Sequence, residues 1–109
     1  MQKYKTLTRT TLSELDDLPH AGVYVIAYLG KVLYVGKASE SVHGRLHNHM
    51  YKPSRIGVWM RNAQDDWCNV RLDVLEQPDS AGVEWLDAAE LALIRHHAPL
   101  FNDALMVEA

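Results

Sequence analysis

A chain of 109 residues with 48% hydrophobic content suits one compact domain around a single core, taking in the whole of 1–109, and leaves little room for a second. No apolar run approaches the roughly 18 residues that span a bilayer, and Met1-Gln2-Lys3-Tyr4-Lys5 lacks the apolar stretch of a secretory signal, so the chain reads as soluble and cytoplasmic with no membrane partner. A formal net charge of -3 argues against indiscriminate charge-driven binding of nucleic acid, and one cysteine, Cys68, excludes an internal disulfide and a cysteine-rich zinc site.

In chain order, the polar stretch Thr6 to Asp17 reads as a lead-in with a short turn of helix, closed by Pro19-His20. Ala21 to Tyr28 and Lys31 to Gly36 are rich in Val, Ile, Leu and Tyr around a glycine-containing turn and predict a β-hairpin. With a two-residue loop, Leu29-Gly30, Tyr24 and Tyr34 would point to opposite faces. A three-residue loop, Tyr28-Leu29-Gly30, puts them on one face, with Gly30 at the left-handed position of a turn with a G1 bulge. The expectation is an odd-length loop with both tyrosines on one face.

Ser41 to Tyr51 predicts a helix that stops before Pro53, and Ser54 to Asn62 a shorter one. After the polar Gln64-Asp65-Asp66 turn, the alternation of Val70, Leu72 and Val74 marks a strand over Asn69 to Glu76. Ala81 to His97 is the longest helical pattern, with Asp79 or Ser80 as its expected N-cap, basic residues in its last turn and Pro99 beyond it. Three strands among helices in mixed order predict a small α/β (α+β) domain.

Val83, Leu86, Glu90, Leu93 and Ile94 share one face of the long helix, so Glu90 interrupts an apolar stripe. A carboxylate so placed requires a compensating partner, and both an ion pair and a metal ion meet that need. Arg45 and His49 stand one helical turn apart, where a guanidinium can hold a phosphate oxygen and an imidazole can take a proton, or where both can simply decorate a solvated face. Tyr24 and Tyr34 are ordinary sheet-face aromatics unless a cation or a neighbouring base draws off a phenolic proton; Lys37, Arg45, His49 and a metal on Glu90 would supply those conditions. His43 and His47 repeat the i,i+4 spacing with no second ligand pair, so structural zinc is not expected. Trp59, Trp67 and Trp85 read as core or interface anchors, and Cys68 beside Trp67 as a small buried residue.

Charge is distributed unevenly. Lys31, Lys37, Arg45, Lys52, Arg55 and Arg61 face Glu40 alone over the middle of the chain, whereas the part from Gln64 onward is mostly acidic. Such a segment suits a phosphate-facing surface and is equally compatible with a solvated face.

Gly22-Val23-Tyr24 and Tyr34-Val35-Gly36 at hairpin spacing, followed by Arg45, His49, Glu90 and Asn102, resemble the GIY-YIG nuclease superfamily over a core of about residues 21–102. Valine stands for isoleucine in both name motifs, a swap that keeps a β-branched residue. Leu33 to Ala38, with Lys37 after the second motif, is similar to the excision-repair members, and His49 to the homing and restriction members. The resemblance implies a three-stranded antiparallel sheet flanked by helices and one divalent ion, Mg2+ or Mn2+, held by Glu90. It implies Tyr24 as the base for an attacking water, Tyr34 as the residue orienting that water or base, and Arg45 as the cation on the scissile phosphate. Lys37 and His49 would tune protonation, with His49 taking the proton of Tyr24, and Asn102 would help to fix the phosphate or the metal site.

The implied activity is cleavage of DNA, branched or structured forms included, to 5′-phosphate and 3′-hydroxyl ends, in repair, mobile-element or defence settings. No zinc finger, helix-turn-helix or basic tail is recognisable, so target choice is expected from loops, a homo-oligomer or a protein partner. The alternatives are an inactive nuclease fold that binds nucleic acid or protein, and an interaction protein whose motif residues serve structure alone.

Overall fold

The computed structural model describes residues 8–15, 18 and 21–102. Its elements are β1 (Thr8–Thr11), β2 (Gly22–Tyr28), β3 (Lys31–Ala38), α1 (Val42–Met50), α2 (Arg55–Asn62), a 3-10 segment (Gln64–Asn69), β4 (Val70–Glu76) and α3 (Val83–His97). The strands form one antiparallel sheet in the order β1-β4-β2-β3, so the fold is mixed α and β with helices on the sheet. Among the described residues no helix is long and apolar enough to cross a membrane.

The sheet has four strands where three were expected. Thr8-Arg9-Thr10-Thr11, read as part of a helical lead-in, pairs with β4 from Thr8↔Val74 to Thr11↔Arg71. Its threonines suit extended backbone, and as an outer strand it needs no apolar alternation, the signal by which the other strands are recognised. Leu12 then turns into the core. Thr6, Leu7, Asp16, Asp17 and the closing Pro19-His20 lie outside the described residues.

Both faces of the sheet are covered, so the central strand β2 is buried on consecutive residues, Val23 to Ile26. On one face Tyr24, Ile26, Val70, Leu72 and Val74 pack against Val42 and Leu46 of α1 and Ile56 and Met60 of α2. On the other, Val23, Val25 and Val35 meet Leu86 and Ile94 of α3. Each such side chain, fully buried, contributes on the order of 1.5–3 kcal/mol.

The hairpin reaches the expected facing by another route. Tyr28 pairs with Lys31, leaving the two-residue loop Leu29-Gly30, and both loop residues have positive φ, 49° and 82°, as a type I′ turn requires. The register then shifts: Ala27 pairs with Val32 but Ile26 with Tyr34, so Leu33 is an extra residue on β3. One bulge reverses the alternation, and Tyr34 comes to the face of Tyr24 despite the even loop. Tyr24 stands opposite Gly36.

Serine hydroxyls cap α1 and α2. Ser41 Oγ accepts from Gly44 N at 3.0 Å, and Ser54 Oγ accepts from Gly57 N at 3.2 Å. A β-carbon on Gly57 would overlap the carbonyl oxygen of His49, so this glycine lets α2 press against the end of α1. Neither Asp79 nor Ser80 caps α3: Ala81 N bonds Pro78 O at 3.0 Å in a separate turn, and the helix begins after Gly82 with no side-chain cap. Ala98, at φ 46°, ends it in the left-handed region. The tail then follows β3, with Leu100 N on Val32 O at 3.2 Å and Phe101 N on Leu33 O at 2.7 Å.

Cys68 is exposed, contrary to expectation. The tight 3-10 turn directs its neighbour Trp67 inward instead, where Nε1 donates to Met60 O at 3.0 Å. Trp59 and Trp67 pack on the first core and Trp85 on the second, as anchors should.

Candidate active site

Tyr24 is fully buried, at 0% exposure, and its ring lies beneath the backbone of Gly36. A β-carbon on residue 36 would overlap the phenol oxygen and ring edge, so only glycine leaves room for that hydroxyl. The hydroxyl reaches His49 on α1, 2.7 Å from Nε2. Tyr34 completes an aromatic triangle, with ring centroids 6.2 Å from Tyr24 and 5.1 Å from His49.

Burial and the neighbouring Tyr34 push the Tyr24 phenol well above its ordinary pKa, while the positive Arg45 opposes them. His49, 4% exposed, is held down to about pKa 4, first by burial and then by the charges of Arg45 and Lys52. It is therefore neutral at pH 7. In the tautomer that leaves Nε2 unprotonated, it accepts the Tyr24 proton. Its Nδ1, which carries the proton in that tautomer, is buried with no protein partner among the described residues.

Glu90 approaches from α3, on the other face of the sheet. Its side chain is 17% exposed, and Lys37 Nζ stands 3.9 Å from its Oε1. Burial raises the Glu90 carboxyl above the usual range; Lys37 and Arg45 pull it back and Asp87 pushes it further up. The charge of Arg45 thus bears on Glu90 and on Tyr24, and Arg45 lines a hollow with Lys37, Leu86 and Asp87. Lys37 is turned towards α3, hydrogen-bonded to Asp87 Oδ1, and not towards the tyrosines.

Asn102 is spent on backbone. Its Oδ1 accepts from Val35 N at 2.9 Å and its Nδ2 donates to Val35 O at 2.8 Å, clasping the outer edge of β3 between Tyr34 and Gly36. With both ends of the carboxamide used, it acts on the site by fixing the strand, and it is not directed at a phosphate or a metal.

Two hollows meet at Arg45. One, of about 350 Å³, lies between Lys37, Ser39, Arg45, Val83 and Asp87. The other, of about 270 Å³, lies between Ser39, Glu40, Ser41, Arg45 and Asn48. Both are lined by Ala38, Ser39 and Arg45, so a guanidinium able to hold a phosphate oxygen borders each of them. A third hollow, apolar and lined by Leu12, Leu46, Met50, Met60 and Trp67, lies behind α1, away from this chemistry.

The donor set can be tested for a metal. Among the described residues no three His, Cys, Asp or Glu side chains come together, so an ion caged by side chains alone does not fit. A Mg2+ or Mn2+ ion needs only one or two carboxylates when water and substrate phosphate supply the remaining oxygens. Glu90, partly desolvated and only loosely paired, fits that role.

The structure brings Tyr24, Tyr34 and His49 together on the α1 side of the sheet and Lys37 and Glu90 together on the α3 side, with the charge of Arg45 bearing on both groups, and places Asn102 at the edge of β3. Sequence reasoning missed Asp87, although its i,i+3 spacing to Glu90 puts both on neighbouring positions of one helix face. It also missed the charge on His49 of Lys52, which lies just beyond the end of α1. Comparison with protein-family models, curated proteins and solved structures finds no match for this chain.

Proposed function

We infer that this chain is a metal-dependent endonuclease of the GIY-YIG type that hydrolyses DNA phosphodiester bonds and leaves 5′-phosphate and 3′-hydroxyl ends. The observation that carries this reading is the 2.7 Å contact between the Tyr24 hydroxyl and Nε2 of a buried, neutral His49, with Arg45 beside them. A buried phenol is a poor base unless something takes its proton as it acts, and this arrangement supplies the acceptor.

In the proposed reaction the attacking water gives a proton to the Tyr24 oxygen while Tyr24 passes its own to His49 Nε2. The new P–O bond forms as the P–O3′ bond breaks on the opposite side, and the leaving oxygen takes a proton from solvent. Because Tyr24 gains a proton as it loses one, no full phenolate builds up in a setting whose burial penalises it. The positive charge formed on His49 is offset by the negative charge of the bound phosphodiester. Arg45 holds that phosphate and meets the charge that develops on it. Glu90 would hold the divalent ion, whose chemistry when bound is to neutralise phosphate oxygens and acidify water. Tyr34 packs on Tyr24 and His49 and orients them, and Asn102 keeps β3 in register behind both.

The test is to incubate the protein and its Glu90→Ala and Tyr24→Phe variants with supercoiled, linear and branched DNA, with Mg2+, Mn2+ or EDTA, at low salt. The proposal expects metal-dependent nicking lost in both variants, and products that ligate without further processing. Salt-sensitive DNA binding by folded protein without cutting of any substrate would make this a binding module instead.

A further inference from the structure

The Lys37 ammonium stands beside Glu90, the carboxylate assigned above to the divalent ion. Lys37 leaves β3 on the α3 side, donates to Asp87 Oδ1, and stands 3.9 Å from Glu90 Oε1. Asp87 and Glu90 are three residues apart on α3. Asp87 takes no part in the proposed chemistry, yet it is the closer of the two carboxylates to the ammonium.

We propose that Asp87 is a positioning residue that parks the Lys37 ammonium against Glu90, so that without a metal ion Lys37 offsets part of the negative charge of the two carboxylates and a divalent cation must displace it to bind. The proposal rests on the nuclease reading for the cation but not for the contact. Lys37 is suited to the exchange because its charge sits on a flexible four-carbon stem, so a small swing releases it. Its destination is at hand: the 350 Å³ hollow that it lines together with Ser39, Arg45 and Asp87. There a released ammonium joins Arg45 on the same phosphate. Cation entry and phosphate capture are thereby coupled, since the ion that takes Glu90 frees the lysine for the substrate. Both Lys37 and Asp87 are partly exposed, so the competition is of the modest size of surface ion pairs.

The experiment measures Mn2+ affinity of the folded protein without DNA, from the free-ion electron paramagnetic resonance signal, in wild type, Lys37→Met, Asp87→Asn, the double variant and Glu90→Gln. Lys37→Met keeps the stem and removes the competitor; it is expected to tighten Mn2+ binding about fivefold. In the Asp87→Asn background, where the ammonium is no longer held, the same change is expected to gain less than about twofold. Mere removal of a positive charge would tighten binding equally in both backgrounds, and that result overturns the proposal. So does unchanged or weaker binding in Lys37→Met, or absence of Glu90-dependent binding in every protein. The expected pattern in a protein that cuts no DNA would sink the nuclease reading and keep the parking role; cutting with additive affinities would do the reverse.

Discussion

Acidification should unfold this protein partly through one imidazole. His49 is 4% exposed and keeps its proton off down to about pH 4, whereas its ordinary pKa is 6.5. Between those values the unfolded chain takes up a proton that the folded one refuses. The stability this group contributes is therefore complete above about pH 6.5, drains away as pH falls towards 4, and is gone below that. About 2.5 pH units at about 1.4 kcal/mol each gives a loss of about 3 kcal/mol, a large share of the 5–15 kcal/mol that holds a typical domain together.

The control is His49→Gln, which offers Tyr24 an amide but does not titrate. Urea unfolding of both proteins from pH 7.5 to 4 is expected to show the variant less stable near neutrality, because its packing is poorer, yet losing about 3 kcal/mol less on acidification. Glu90 acts in the opposite sense: its folded-state pKa is raised, so it adds stability as pH falls below that value. It is common to both proteins and cancels in the difference. Parallel losses would refute the reasoning, because they would mean that His49 takes up its proton in the folded state as readily as in the unfolded chain and is not held neutral by burial.

Gly36→Ala drives a β-carbon into the Tyr24 phenol, and is expected to cost about 1–3 kcal/mol and most of any cleavage activity; an active variant of wild-type stability would contradict the packing described. Leu29→Asn replaces a 73% exposed leucine at φ 49°, and should raise the stability by about 0.5–1 kcal/mol, read as a higher urea midpoint at unchanged slope and unchanged activity. Asn102→Ala removes two backbone bonds at the edge of β3, and is expected to cost about 1–3 kcal/mol and to speed hydrogen exchange at the Val35 amide, with no change in Mn2+ affinity; a lost metal site with intact exchange protection would place Asn102 on the ion after all.

How much of this was legible in the sequence depended on whether a pattern had one physical solution or several. The three helices and β4 lie within two residues of their expected bounds, because the apolar spacing and the stops at Pro53 and Pro99 point the same way. The hairpin stated a constraint, two tyrosines on one face, that two backbones satisfy: an odd loop, or an even loop with one bulge. The chain takes the even loop although leucine disfavours the positive φ of Leu29, and recovers the facing through Leu33. β1 was hidden because an outer strand of threonines carries no burial rhythm. Asp87 was hidden for a different reason. It stood among Glu84, Asp87 and Glu90 on α3 as one carboxylate of several, and what singles it out is a lysine on β3 fifty residues earlier. Periodicity reports which face a residue occupies; only the pairing of α3 with β3 reports what that face meets. The residues that carry bond-making chemistry were therefore open to motif reasoning, and the one argued to regulate them became visible only once the two elements were brought together.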